Sequence, residues 1–420
     1  MILGARKTGK TTLAHLLASR FNYSLYFQAG DHVFRKLIRK SIPSIEQLQS
    51  LFFIKHKPFN PEQSLLIVDD LHVMPELIPS LAEWAVSAPG LSILCLSSQI
   101  LENLQGATIR MLRPVSFREF IASTGEPETI ESFHEVPFPV KSFHRLLELF
   151  HLYALIGGMP QIIKTYLSGK SMAALDKHYD DIHTSFEESV VEMTRSRRQE
   201  EMMKLTLMNA YPFAASRVKF SHFGNTPYGS REIREGFMRM EHHLLLHLSY
   251  PDTASHCESI PDIRRSPRLQ MLDTGIVNCA SGIQRQIRMA SDLNQLFRGQ
   301  IIHHIAGQEI LASHPEPDYR LRFWNRPKLQ ATAEVDFLIS YDGMMIPVVV
   351  RSGEPGRLRG LHQYLDEAPH PYAVRLYAGN VSIRKAETIR GKVYYLLNFP
   401  YFLAGKIQDH LKGFIAYINS

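Results

Sequence analysis

The chain has 420 residues, 45% of them hydrophobic and 21% charged, with a formal net charge of +6 and 20 histidines. That length holds roughly two to four domains with cores of their own, and the composition is that of a soluble globular protein rather than a fibrous or membrane one. The basic balance permits contact with nucleic acid or nucleotides without requiring it. The cysteines Cys95, Cys257 and Cys279 lack metal-type spacing, so a reducing cytoplasm is the expected compartment. No signal peptide is visible. The most apolar stretch, Leu146 to Ile156, is broken by Glu148 and His151 and is too short to span a bilayer, so no membrane partner is expected.

Near the start, Gly4-Ala5-Arg6-Lys7-Thr8-Gly9-Lys10-Thr11 fits G-x-x-x-x-G-K-[ST], with Thr12 next. Glycines let such a backbone curl round a phosphate with its N–H groups inward. Lys10 is placed for the β- and γ-phosphates, and the Thr11 hydroxyl for Mg²⁺. Thr12 to Ala18 reads as a helix whose positive end suits a polyanion. The plain alternative is a Gly/Lys surface turn.

About sixty residues on, Leu65-Leu66-Ile67-Val68-Asp69-Asp70 reads as a buried parallel strand ending in acids, where open α/β sheets place ligands. Asp69 is expected to hold Mg²⁺, directly or through water. Asp70 takes the slot of the base that orients the attacking water. Solvated acids capping a buried strand are the alternative, which pairing with the phosphate loop disfavours. A third apolar run, Leu91 to Leu96, ends in Ser97-Ser98. These serines either sense the γ-phosphate or start the next turn.

The order of these features resembles the AAA-type ATPases of bacteria and archaea that carry a DUF4143 region at their C-terminus. The matching stretches are Leu66 to His72, Pro114 to Phe120, Ile156 to Pro160, Leu272 to Gly275, Glu334 to Phe337 and Arg375 to Tyr377. This resemblance implies an α/β fold with a P-loop NTPase (AAA-type) domain, bound ATP and Mg²⁺, and a homo-oligomer among the partners, since such modules often need a neighbour's arginine. Where the family has Glu after the Mg²⁺-binding Asp, this chain has Asp70, one methylene shorter. A misplacement of about 1 Å can cost roughly 100-fold in rate, so slow hydrolysis is expected. Gly106-Ala107 stands where relatives often show Gly-Arg, with Arg110 close by. Relatives usually have further residues before the loop, and the lead-in of only Met1-Ile2-Leu3 predicts a trimmed start and a short first strand.

From Arg113 to about Arg198 the pattern is helical, broken at Gly157-Gly158-Met159-Pro160, and looks like the lid of an AAA-type module. Arg195-Ser196-Arg197-Arg198 reads as a solvated linker or as an arginine donated to a neighbouring nucleotide. Residues 200–255 resemble a winged helix-turn-helix, ending in a helix predicted over Ser230 to His247 with Ile233, Phe237, Met240, Leu244 and Leu248 on one stripe. Arg231, Arg234 and Arg239 lie off that stripe, either toward DNA phosphates or on a solvated face. A linker is expected over 256–290.

From Asp292 the pattern becomes helix, strand, hairpin, strand. Tyr319 to Trp324 and Glu334 to Ser340 are predicted strands, Asp342-Gly343 a hairpin turn, and Met345 to Arg351 the return strand. This resembles the PD-(D/E)xK nuclease core, in which an Asp and a following Glu-x-Lys bind metal and activate water. Aligned on Asp336, beside Glu334, the Glu slot is Val349 and the Lys slot Arg351. Valine cannot ligate Mg²⁺, and arginine stays protonated and cannot serve as a base. A helix glutamate common in relatives is replaced by His303 in His303-His304-Ile305. Adjacent histidines diverge on a helix, which disfavours a new metal site made by this pair with Glu334.

The expected organisation is therefore a P-loop ATPase core (1–112), a helical lid (113–199), a winged-helix-like connector (200–255), the linker (256–290), a nuclease-like α/β domain with an eroded site (291–400) and a C-terminal tail (401–420). The implied function is Mg²⁺-dependent ATP binding with slow hydrolysis, coupled to a DNA or protein partner. The alternatives are a DNA-binding scaffold with structural or regulatory ATP and, against the eroded site, an ATP-driven nuclease.

Overall fold

The run Leu65–Val68 carries no polar alternation because both of its faces are covered. In the computed structural model, which describes residues 1–31, 64–102, 104, 106–169, 171, 173–289, 293, 299–327, 333–351 and 358–420, Leu66 and Val68 pack with Leu25, Phe27, Leu81 and Trp84. Leu65 and Ile67 pack on the opposite face with Ala14 and Leu96, as a two-residue period requires. This sheet belongs to the first of two units, Met1–Arg113 with His242–Leu244 and Pro315–Asp318. Its elements are β1 (Ile2–Leu3), α1 (Lys10–Ala18), β2 (Tyr23–Gln28), β3 (Ser64–Asp69), α2 (Ile78–Ser87), β4 (Leu91–Ser97) and β5 (Arg110–Met111). The strand order is β2-β3-β4-β1-β5, and every pairing is parallel. β1 has two residues yet sits between β4 and β5, with Ile2 opposite both Leu96 and Arg110. The C-terminal ends of β1, β3 and β4 therefore lie side by side.

The second unit comprises Pro114–Glu241, Leu245–His314 and Tyr319–Ser420. Its first helices are α3 (Phe117–Ser123), α4 (Pro127–His134), α5 (Phe143–Ile156), α6 (Pro160–Leu167), α7 (Ala173–Met193) and α8 (Arg197–Ala210), and α9 spans Ser230–His242. There follow β6 (Leu246–Ser249), β7 (Pro251–Asp252), β8 (Arg268–Met271), α10 (Thr274–Ala280), α11 (Gln284–Met289) and α12 (Gln300–Ala312). The remainder is β9 (Phe323–Asn325), β10 (Glu334–Val335), β11 (Phe337–Tyr341), β12 (Met344–Val350), α13 (Arg359–Glu367), β13 (Tyr372–Tyr377), β14 (Ser382–Glu387), β15 (Val393–Pro400) and α14 (Ile407–Asn419). The last sheet runs β11-β12-β13-β15-β14, with parallel β12, β13 and β15 flanked by antiparallel edges. Asp342 and Gly343 join β11 to β12 with φ of 46° and 70°, the positive pair that a two-residue hairpin needs.

Several expectations are corrected here. The helix predicted to His247 stops at His242, and Leu246–Ser249 is instead a strand antiparallel to Arg268–Met271. Leu244 adopts φ 60°, and Leu245 N–H donates to Met240 O at 3.0 Å. That closure ordinarily uses glycine, so the apolar stripe runs past it unbroken. Residues 256–290 are not a bare linker, since they hold β8, α10 and α11. Of Tyr319 to Trp324, only Phe323 and Trp324 are in a strand. The predicted strand Glu334 to Ser340 is split at Asp336, whose carbonyl accepts from Arg268 Nη1 at 2.6 Å. β10 therefore pairs with β9, and β11 with β12. The tail 401–420 is structured: Tyr401–Lys406 is a 3-10 helix, and α14 after it buries Ile407, Leu411 and Phe414. Asp292, taken as the start of the last pattern, lies outside the described residues.

Stretches far apart in sequence meet at one buried network in this unit. Asp273 caps α10, its Oδ1 accepting from Ile276 N at 3.1 Å and its Oδ2 from Gly158 N at 2.6 Å. A Cβ on Gly275 would fall 2.1 Å from Ile156 O, and one on Gly157 2.2 Å from Asp273 Oδ1, so both positions require glycine. On α12, Glu309 accepts from Phe117 N at 3.0 Å and from the Tyr153 hydroxyl at 2.8 Å. Gln308 Nε2 donates to the Tyr153 oxygen at 2.9 Å.

Burial pushes Glu309 up to about 7 and Asp273 up to about 6, against the hydrogen bonds that oppose the rise. A carboxyl whose folded pKa is raised stabilises fully below its unfolded value, near 4, and loses that contribution as pH climbs through the folded value. The second unit should therefore be less stable at pH 8 than at pH 5, by roughly 3 kcal/mol from Glu309 alone. Urea midpoints followed through Trp324 in Trp84→Phe protein would measure this. Glu309→Gln should flatten most of the slope, and an unchanged slope would show that Glu309 is not its source.

Candidate functional site

The loop from Gly4 to Gly9 leaves the central strand β1 and enters α1. Lys7 and Gly9 take positive φ, 65° and 95°, and a Cβ at Gly4 would stand 2.5 Å from Leu112 O. Thr8 Oγ1 ties the curl by donating to Ala5 O at 2.8 Å. Lys10, only 6% exposed, folds over it and donates from Nζ to Gly4 O and Ala5 O, each at 2.9 Å. Burial pushes the Lys10 ammonium down to about 8, with Asp69 and Asp70 opposing the fall. Arg6 is half-buried, and Thr11 and Thr12 are exposed at the start of α1.

At the end of β3, Asp69 Oδ2 accepts from Thr11 Oγ1 at 2.6 Å and from the Tyr26 hydroxyl at 2.9 Å. Two hard oxygens, Thr11 Oγ1 and Asp69 Oδ2, thus converge beside the buried ammonium, a donor set that suits Mg²⁺. Asp70 leaves the strand with φ 55° and accepts from Gln28 Nε2 at 3.2 Å. Ser97 Oγ donates to Gln99 O at 2.6 Å and accepts from Gln99 N at 3.1 Å, which is a turn-starting geometry. Ser98 N–H donates to His72 Nδ1 at 3.4 Å. The sequence reading missed Tyr26, Gln28 and His72. For the first two the available signal was the alternating run Tyr23-Ser-Leu-Tyr-Phe-Gln28 on the strand beside β3.

Glu334, Asp336 and Arg351 are also brought together, around guanidinium groups. Glu334 takes Arg217 at 2.8 Å and Arg268 at 3.0 Å on its two oxygens. Asp336 Oδ2 accepts from Arg351 Nη1 and from Val350 N, each at 2.8 Å. His303 Nε2 lies 3.7 Å from Asp336 Oδ1, and its ring stacks on Phe337. Burial first, then Arg268 and Arg351, hold His303 well below the ordinary histidine range. His304 turns away to Thr274 Oγ1 at 2.8 Å. Val349 is 2% exposed within the apolar layer under α13. Among the described residues no group of three His, Cys, Asp or Glu side chains is placed to hold a metal ion.

Arg268 is buried, and truncating it takes the donor from the Asp336 carbonyl and leaves Glu334 with Arg217 alone. Arg268→Ala should therefore destabilise the second unit by about 3 kcal/mol, measured by urea unfolding at Trp324. In the same assay wild-type protein should show no midpoint change between EDTA and millimolar Mn²⁺, and a Mn²⁺-dependent rise would argue for a metal in the cluster.

Residues 1–121 match the family model described as an AAA domain. Residues 147–287 match the model described as a domain of unknown function, DUF8612. The family model found beyond the AAA segment is thus DUF8612, which overturns the expected DUF4143 region. No curated protein matches the chain. The N-terminal segment is an AAA-type, nucleotide-binding, ATPase-like domain with a parallel sheet. Among the described residues no helix is long and apolar enough to cross a membrane.

Proposed function

We propose that this protein binds ATP with Mg²⁺, hydrolyses it slowly, and uses the nucleotide state to act on a partner through its second unit. The observation that carries the reading is the convergence of Lys10, Thr11 and Asp69 at the ends of β1 and β3. The backbone of Gly4 to Gly9 would cradle phosphates and Lys10 would meet the β- and γ-phosphates. Thr11 and Asp69 would hold Mg²⁺, whose chemistry there is charge neutralisation on the phosphates. Asp70 would orient water, and its short side chain and bond to Gln28 support slow turnover.

For the second unit, the helices of 113–199 support the lid reading. Helices α8 and α9, followed by antiparallel β6 and β8 with an Arg217–Arg268 bridge, support a winged-helix-like module. Helix α12, the β11–β12 hairpin, α13 and β13 support a nuclease-like core without nuclease chemistry. Several arginines offered for phosphate contact have partners within the chain. Arg239 is bound by Glu235 and Met193 O, Arg234 by Tyr250, Arg197 by Glu201 and Arg198 by Glu232. That pairing favours a protein partner over DNA, and an interface between copies of this chain falls within the same reading.

Lys10→Ala should weaken MgATP binding at least 100-fold in calorimetric titration, roughly the loss of two strong charge-assisted contacts. Undiminished binding would sink the proposal. Asp70→Glu should raise kcat on the order of tenfold or more by restoring the reach of the carboxylate. Steady-state phosphate release with and without duplex DNA would measure it, and DNA stimulation that falls steeply with salt would shift the partner to nucleic acid.

A further inference from the structure

The second unit contains a pocket of about 650 Å³, within the usual range of small-molecule sites. It lies between the start of α3, the end of α4, the end of α12 and the first turn of α14, and none of the chemistry above uses it. Its basic lining residues are Arg118, His134 and Lys406, together with His314, whose Nδ1 lies 2.7 Å from Ile310 O. Lys406 is 7% exposed, and its Nζ donates to the carbonyls of Phe133 at 3.0 Å and His134 at 3.2 Å. These are neutral acceptors, and the exposed Asp409 carboxylate adds an ion pair at 3.8 Å. Arg118 is exposed, and among the described residues no carboxylate forms an ion pair with it.

Arg118, His134 and Lys406 burden one another. His134 is held below its ordinary range by burial, then by Arg118 and Lys406. Lys406 is lowered by burial, with Asp409 opposing and Arg118 adding to the fall. Of the acids on the lining, Asp409 opposes the fall at both Lys406 and His134, and the other two are engaged elsewhere. Glu119 is committed to the Ser116 N–H and hydroxyl, both at 2.8 Å. Glu309 is engaged by Phe117 N and Tyr153. Helix α14, 13 residues long, begins at this pocket with no side-chain cap, directly after the 3-10 segment Tyr401–Lys406 and with Asp409 in its first turn.

We propose that this pocket binds a small organic oxyanion, a carboxylate or a phosphate ester, anchored by Arg118 with Lys406 and His134 behind it. This site is separate in residues from the loop that begins at Gly4, and it stands or falls independently of ATP binding.

The test uses the full chain with Lys10→Ala, so that the phosphate loop does not compete, and with Trp84→Phe, so that Trp324 reports the second unit. Citrate, glycerol phosphate and inorganic phosphate are titrated while thermal unfolding is followed at Trp324. At least one of these should raise the transition in a saturable manner, and the response to citrate against glycerol phosphate identifies the source of the oxyanion. Arg118→Gln, at an exposed position, should weaken the responding probe about tenfold, the loss of one charge-assisted contact. Arg118→Lys should restore affinity to within about threefold, since Lys keeps the charge but loses the fork. A flat response to every probe overturns the proposal. So does equal affinity in Arg118→Gln with its unliganded transition unchanged.

Discussion

A carboxylate taken out of water has to be given a cation, a set of donors or a proton, and in this protein that choice decides what each acidic site can do. Asp69 receives neutral donors, the hydroxyls of Thr11 and Tyr26, with the Lys10 ammonium nearby. Its charge is oriented but not cancelled by contact, so it keeps the capacity to hold a cation. Glu334 and Asp336 receive guanidinium groups from Arg217, Arg268 and Arg351. Those pairings occupy both Glu334 oxygens and Asp336 Oδ2 with guanidinium or backbone donors. Asp273 and Glu309 receive backbone N–H groups and a phenol, and burial raises both. They become joints of the fold whose strength depends on pH.

The same constraint separates the nucleotide end from the tail although both present acids at strand ends. On β3 the chain turns away straight after the acid, with Asp70 in left-handed backbone, which leaves the Asp69 side chain free to meet Thr11 on α1. On β10 and β11 the chain continues into a hairpin, and Asp336 is locked between the Val350 N–H and Arg351 of the returning strand. Val349, on the same returning strand, is committed to the apolar layer. A carboxylate there would set a charge among buried apolar groups.

Legibility in the sequence followed the range of the interactions. The loop from Gly4 to Thr11, the apolar run of β3 and the Asp342-Gly343 turn were readable because each is decided within a few residues. The break at Gly157-Gly158 was readable as well, but its reason was not. Gly157 is required by Asp273 and Gly275, more than a hundred positions away, and Gly158 by the Val115 carbonyl, which a Cβ would meet at 2.3 Å. The end of α9 was missed because Leu244 occupies a left-handed position where only glycine or asparagine would have signalled a stop. The split at Asp336 was missed because the partner that takes its carbonyl, Arg268, comes from another strand. Arg268 itself carried no motif, and its role appears only once Glu334 and Asp336 are brought to it. Tyr26 and Gln28 belong to the same class, side chains made relevant by strand order rather than by pattern.

Arg268 also bears on how the cluster around Glu334 and Asp336 is held together. Its guanidinium lies 4.2 Å from the centre of the Phe323 ring, reaches Glu334, and takes the Asp336 carbonyl at the point where one strand divides into β10 and β11. A metal ion bound to the two carboxylates would hold the side chains together but would leave that carbonyl and ring without this partner. An arginine supplies the charge, the backbone donor and the stacking surface at once, and it does so without depending on ion concentration.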